Sequence, residues 1–350
     1  MNELLIGRLI RSLNIKRLIN LSKTSISFFL SALLKRPIIW GTPSVLTIEP
    51  TNICNLRCPL CTTGAGEMKR PGGRMTLETF KIILDQLGDD IFFLIIYHQG
   101  EPYLNQNFFE FVRLAKMRNI YVTTSTNGHY LTTQNVQQTI ECGLDSMIIS
   151  VDGTTQESFA HYRRGGNLEK VIHGIKLLTG AKKTANSRTP NIAIQFLIMK
   201  HNESEISLLR SLVKEWGADR LLLKNIEVHS VSEAHEWLPA EEKYRRYNFD
   251  GENLIVKNSD RKYCDRPWLS TLINWDGSVV PCCFDKNGTY TMGTLQRDNT
   301  FERIWSNDSF NLFRQKLVTQ RKSIDICSNC NQGLGNFLPT RYWKKINKQK

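Results

Sequence analysis

Three observations predict an α/β chain, with a parallel-sheet domain followed by a smaller cysteine-rich one. Between Pro43 and about Asn225, strand-like and helix-like stretches alternate strictly, as in a parallel sheet with helices packed outside it. A loop carrying three thiols, Cys54-Asn-Leu-Arg-Cys58-Pro-Leu-Cys61, follows the first apolar, β-branched run. Beyond Val228 the alternation stops, and a second set of cysteines gathers around an Asp276-Gly277 turn.

The 350 residues leave room for one large domain and a smaller one. A hydrophobic content of 41% is enough for a proper core and excludes wholesale disorder. Eight of the nine cysteines fall in or near groups of ligand-like spacing, and Cys142 stands apart as a core residue. No secretory signal is evident, so the thiols read as metal ligands in a reducing, cytoplasmic setting rather than as a disulfide scaffold. The net charge of +13 favours anionic partners. No nucleic-acid motif accompanies it, and a nucleic-acid partner is not expected.

Residues 1–42 read as basic amphipathic helices, with Leu5, Leu9, Leu13 and Ile6, Ile10 at helical spacing. Residues 1–36 set seven Lys and Arg against Glu3 alone, a net +6. The apolar run Ile26 to Leu34 is far short of the ~20 residues that span a bilayer. Two roles compete: packing against the following domain, or a peripheral, in-plane membrane contact in which bases flank Phe28, Phe29 and Leu30. The strand-like runs that follow are Val45–Glu49, Ile91–Tyr97, Ile120–Ser125, Ser146–Val151, Ile192–Met199 and Arg220–Lys224. Helix-like stretches Thr76–Leu87, Gln106–Arg118, Thr132–Cys142, Leu168–Thr179 and Glu203–Trp216 separate them, with Gly143 and Gly217 as helix stops. The expected boundaries are 43–228 for this domain, 229–262 for a polar and aromatic linker, 263–335 for the cysteine-rich domain and 336–350 for a basic tail.

The C-x3-C-x2-C loop is short enough to wrap three sulfurs around three corners of a cubane, leaving the fourth iron without a protein ligand. A tetrahedral zinc site would want a fourth Cys or His nearby, and the nearest His is His98. Local disulfides would leave one thiol over. The motif after a first strand resembles the radical S-adenosylmethionine (SAM) superfamily. The resemblance implies a partial (β/α)6 TIM-like barrel, with Cys54, Cys58 and Cys61 holding a 4Fe–4S cluster whose open iron chelates SAM. It also implies reductive cleavage of SAM to a 5′-deoxyadenosyl radical, fed by an electron donor such as flavodoxin or ferredoxin.

Tyr97-His-Gln-Gly100-Glu101-Pro102 matches the family's Gly-Gly-Glu-Pro motif with Gln99 in place of the first Gly. By resemblance Glu101 receives the amino group of SAM. Thr124-Ser-Thr-Asn127-Gly128 and Ser150-Val-Asp152-Gly153 close the third and fourth strands, and the family places Asn127 near the ribose and Ser150 near the SAM carboxylate. Asn-Gly and Asp-Gly are also ordinary turn signals. His161-Tyr-Arg163-Arg164-Gly-Gly resembles the region where related enzymes set an arginine on that carboxylate; Arg163 is chosen over Arg164, and a solvated charge is the plainer reading of either.

In the C-terminal part, an Asp-Gly hairpin can bring Cys264 near Cys282, and Cys327-Ser-Asn-Cys330 can close the site from a later turn. Adjacent side chains seldom reach one metal, so either Cys282 or Cys283 is the ligand, and the spacing Gly277-x4-Cys282 favours Cys282. Four thiolates suit a second 4Fe–4S cluster or a structural zinc. The layout resembles the SPASM domain in its shortened, twitch form, which implies an auxiliary 4Fe–4S cluster on Cys264, Cys282, Cys327 and Cys330.

The function expected is hydrogen-atom abstraction from a small-molecule, glycan or peptide substrate, leading to a two-electron oxidation. The alternative is a membrane-associated iron–sulfur carrier or scaffold without SAM turnover. His98, Asp152, His229 and Asp285 are candidate bases that the sequence does not rank.

Overall fold

The structure is a computed structural model that describes residues 3–257, 263–332 and 343–345. The expected basic tail, 336–350, lies outside the described residues apart from the backbone of 343–345. In chain order the strands are β1 (Val45–Ile48), β2 (Phe93–Ile96), β3 (Tyr121–Thr126), β4 (Ser146–Ser150), β5 (Asn191–Ile198) and β6 (Arg220–Asn225). After these come β7 (Tyr247–Phe249), β8 (Leu254–Val256), β9 (Ser270–Ile273), β10 (Ser278–Val280), β11 (Gly293–Thr294) and β12 (Trp343–Lys345). The architecture is mixed α/β with a mostly parallel sheet, as the alternation predicted. Two compact units make up the chain: Met1–Ile53 with Met68–Thr123 and Asn258–Leu338, and Cys54–Glu67 with Thr124–Lys257 and Pro339–Lys350.

In the first unit β9, β1, β2 and the start of β3 run parallel, and β10 and β11 add antiparallel. Val45 sits opposite Phe93 on one side and Ser270 on the other. The cysteine-rich C-terminal segment therefore extends the sheet of the first strands. One face of β1 and β2 is fully enclosed, with Leu46, Ile48, Leu94 and Ile96 buried, while Thr47, Phe93 and Ile95 on the other face are partly exposed. Against them lie the helices Leu77–Leu87 and Phe108–Met117, joined by Phe80 and Phe111 with ring centroids 4.5 Å apart.

Helices α1 (Glu3–Arg11) and α2 (Ile15–Leu34) belong to this unit. The buried face of α2 is polar: Arg17, Asn20, Thr24, Ser27 and Ser31, with Phe28 beside them. The cause is the carbonyl-rich ends of neighbouring helices, which need donors. Arg17 Nη2 donates to Gly88 O (2.9 Å) and Arg118 O (2.7 Å), and Nη1 donates to Ser12 O (2.6 Å) and Asn119 O (3.0 Å). One guanidinium thus caps two helix C-termini, where positive charge is favoured by the helix dipole. At the other end of α2, Phe28 meets the Trp268 ring edge-on at 5.4 Å, and Trp268 Nε1 donates to Ser31 Oγ (3.1 Å).

In the second unit β4, β5 and β6 are parallel, and β12 pairs antiparallel with β6. Residues 229–257, most of the stretch read from sequence as a linker, form a helix (Val231–Trp237) and the antiparallel pair β7–β8. Trp237, Tyr247 and Val256 bury in one apolar cluster with Leu56 and Cys58. The segment is therefore part of the packing behind the thiol loop. Residues 258–262 lie outside the described residues.

Candidate active site

The thiol loop is a tight coil built by its own backbone. Cys61 N donates to Cys58 O (3.2 Å), Ala65 N to Cys61 O (2.7 Å) and Leu56 N to Cys54 Sγ (3.4 Å). A Cβ on Gly64 would lie 2.5 Å from Cys58 N and 2.8 Å from Cys58 O, so the coil closes only around a glycine. Three residues from elsewhere in the second unit hold it. Asn127 Nδ2 donates to Asn55 Oδ1 (2.8 Å) and lies 3.8 Å from Cys54 Sγ. His129 N donates to Asn127 Oδ1 (3.1 Å), fixing that amide. Arg163 Nη1 comes to 4.0 Å of Cys58 Sγ, while its Nε donates to Asp152 Oδ2 at 2.6 Å.

The electrostatics follow from burial. Burial pushes the Cys58 thiol up to about 11, against the pull of Arg163, so without a metal the sulfur keeps its proton. Binding a metal there must release that proton. Burial works against the Arg163 charge, but the Asp152 carboxylate and the neighbouring sulfur outweigh it and hold the guanidinium charged. Arg163 is the inward member of its pair; Arg164 is exposed, its backbone N donating to Tyr162 O (3.0 Å) and its carbonyl accepting from Arg57 N (2.9 Å). Ser150 is buried at the end of β4.

Glu101 belongs to the first unit and is buried. Its backbone N donates to Ile53 O (2.9 Å), and its carboxylate accepts from Tyr103 N (3.2 Å). Gly100 before it has φ 74°, and a Cβ there would lie 2.4 Å from Thr51 O, so the turn that aims Glu101 admits only glycine. Of the four candidate bases, Asp152 is committed to Arg163 and to Leu197 N (2.7 Å). Asp285 holds a turn through Thr289 N and Tyr290 N, both at 2.8 Å. His229 is exposed on the lead-in to a helix. His98 differs: its Nε2 is buried with no hydrogen-bond partner. Burial, with Arg70 and Lys286 nearby, depresses its pKa to about 3.

That depression gives a stability prediction with a definite sign. A neutral His98, with its Nε2 buried, contributes fully above the unfolded value of ~6.5, and its contribution is lost as pH falls toward about 3. Denaturant midpoints should therefore drop between pH 6.5 and 4, and the His98→Gln protein should show a flatter decline. Parallel pH profiles for the two proteins would mean that His98 charges freely in the fold.

The second set of cysteines meets in the first unit. Cys264, Cys282, Cys327 and Cys330 line one small recess together with Phe284, Phe313, Leu317 and Ile326 and with Arg266 and Arg321. Cys283 is not in that lining; its sulfur accepts from Arg266 Nη1 at 3.0 Å. The recess thus gathers the four residues expected, Cys282 and not Cys283 among them. Burial raises Cys264 to about 11 and Cys327 to about 12, while Cys282 is raised first by its hydrogen bond with Cys283. None of the nine cysteines is in a disulfide, and Cys142 is buried with its thiol donating to Thr139 O at 3.3 Å. Among the described residues no three Cys, His, Asp or Glu groups converge on a single-ion position. Each set is all thiolate, the donor chemistry that iron–sulfur clusters take, and four thiolates suit zinc as well. Both donor sets fit an iron–sulfur cluster.

Sequence reasoning missed Asn55, His129 and Gly64. Gly64 carries a signal, a glycine three residues past the last thiol. Asn55 and His129 carry none, since their partners lie more than seventy residues away or depend on the turn after β3.

Comparison with known proteins agrees with this geometry. Residues 48–207 match the radical SAM superfamily model, and residues 264–331 match SPASM, an iron–sulfur cluster-binding domain. The chain is 26% identical over 317 residues to the cofactor-modifying protein of the tungsten-containing aldehyde ferredoxin oxidoreductase of Pyrococcus furiosus, covering 82% of this chain and 86% of that one. It is 25% identical over 301 residues to the PqqA peptide cyclase of Streptomyces rochei, covering 78% and 79%. Its fold is similar to Streptococcus suis SuiB bound to S-adenosylmethionine, with a TM-score of 0.60 at 16% identity, over 84% of this chain and 73% of that one. The chain thus carries a radical SAM domain over residues 48–207 and a C-terminal SPASM domain over residues 264–331, and these imply SAM, a 4Fe–4S cluster and auxiliary iron–sulfur as its cofactors.

Proposed function

We propose that the chain modifies a peptide by abstracting a hydrogen atom from it and completing a two-electron oxidation. The observation that carries the reading is the pairing of a three-thiol loop, held by Asn127 and Arg163, with a separate recess of four thiols. Peptide is preferred to glycan because a relative similar over most of its length is a peptide cyclase. When bound, SAM and its cluster supply the 5′-deoxyadenosyl radical, and an auxiliary cluster supplies an outlet for the second electron.

The chain's own residues then have distinct tasks. Cys54, Cys58 and Cys61 would hold the SAM-binding cluster. Asn127 orients the loop through Asn55 and is assigned near the ribose. Glu101 would take the amino group of SAM, and Ser150 with Arg163 would take its carboxylate. Asp152 is a positioning residue that fixes the Arg163 guanidinium. Cys264, Cys282, Cys327 and Cys330 hold the auxiliary cluster, ligating it fully. His98 is the candidate base that no internal hydrogen bond commits at Nε2.

Anaerobic reconstitution with iron, sulfide, SAM and dithionite should yield 5′-deoxyadenosine. Offered candidate peptides, the protein should then produce species lighter by two hydrogens. A protein that fills both clusters and yields no 5′-deoxyadenosine would instead be an electron carrier. Turnover with a glycan but no peptide would overturn the substrate class.

A further inference from the structure

We propose that α1 and α2 dock the protein flat on an anionic lipid bilayer. The usual amphipathic arrangement is inverted in α2. At 100° per residue, the buried Arg17, Asn20, Thr24, Ser27 and Ser31 share one side. The opposite side carries Ile15, Leu18, Ile19, Ile26, Phe29 and Leu33, which are 47–78% exposed. Of the fifteen large apolar side chains that stand exposed among the described residues, ten lie between Ile6 and Trp40. This concentration marks one patch rather than the scattered apolar residues of an ordinary surface.

Charge selects the occupant. Arg11 and Lys23 on the same two helices, and Lys35 and Arg36 just past the end of α2, are exposed, within a stretch of net +6. A second copy of this chain would bring two such stretches face to face and set like charges together. An anionic bilayer offers the complement: acyl chains for Phe29 and Leu33, and headgroups for the bases around them. No helix of the described residues is long and apolar enough to cross a membrane, so the contact is in-plane. Packing on the domain and contact with lipid are compatible, because they use opposite faces of α2.

The test is co-sedimentation of the full, anaerobically purified chain with phosphatidylcholine vesicles, plain or carrying about 30% phosphatidylglycerol. Binding is expected to the anionic vesicles, weakened in about 0.5 M salt. A Phe29→Asp/Leu33→Asp protein should bind about tenfold more weakly or worse, with unchanged circular dichroism and 5′-deoxyadenosine formation. A Lys23→Glu/Lys35→Glu/Arg36→Glu protein, altered only at exposed positions, should lose the preference for anionic vesicles even if the first variant misfolds. Wild-type protein left in the supernatant, or folded variants that bind as wild type does, would overturn the proposal. So would a dimer by light scattering that Phe29→Asp/Leu33→Asp separates, since the face would then belong to a second copy.

Discussion

Replacing Cys58 with Ala is expected to abolish 5′-deoxyadenosine formation and to remove about four irons per chain. The auxiliary site should keep its iron, because the thiols that line its recess are a disjoint set, Cys264, Cys282, Cys327 and Cys330. Among the three loop thiols Cys58 is the most enclosed, packed in the cluster with Leu56, Tyr162 and Trp237. Losing a single sulfur leaves two ligands for a cubane, and the opposing Arg163 then faces an apolar methyl. Arg163 keeps Asp152 as its partner at 2.6 Å, so the fold should survive the change. Cys58→Ser, closer in shape, is the control for packing. Iron content, electron paramagnetic resonance after dithionite reduction and 5′-deoxyadenosine by chromatography read the result. Normal SAM cleavage by a folded Cys58→Ala protein would remove the loop from the chemistry.

The features that spacing can encode were legible in the sequence. The six parallel strands announced themselves as short apolar runs between helical stretches, and β1 to β6 lie within two residues of their expected ends. The thiol spacing and the Asp276-Gly277 hairpin between β9 and β10 are equally local. Features that depend on what packs against what were not legible. The helix Gln156–Tyr162 was missed because it is two turns long, although Thr155 caps it by accepting from Ser158 N at 3.1 Å. Residues 229–257 looked like a linker because β7 and β8 are three residues each, too short for alternation to show. Their signal was the aromatic side chains Trp237 and Tyr247, which a solvated linker would not carry. In α2 the periodicity was visible but its direction was not. The apolar face faces out because Arg17 and Asn20 answer backbone carbonyls of Gly88, Arg118 and Thr42, and nothing in a helical wheel encodes that demand.

Replacing Cys327 and Cys330 together with Ala is expected to remove the auxiliary metal while 5′-deoxyadenosine formation persists. The short helix Asp325–Ser328 that carries Cys327 lies outside the sheet, so the substitution should cost less structure than one in β9 or β10. Because metal binding and folding are linked, two single variants accompany the double one. Cys282→Ala should also lose about four irons, since its side chain lines the recess. Cys283→Ala should keep them, since that sulfur is turned to Arg266. The reverse pattern would exchange the two adjacent cysteines as ligands. A structural zinc would show instead as about one zinc per wild-type chain with only one cubane's worth of iron. Given a substrate, the same double variant separates an electron outlet from a scaffold. A substrate radical with no acceptor should be quenched or should take its hydrogen atom back, so the variant should consume SAM without forming oxidised product. A soluble variant lacking the second cluster that still oxidises its substrate at the wild-type rate would assign those four thiols to structure alone.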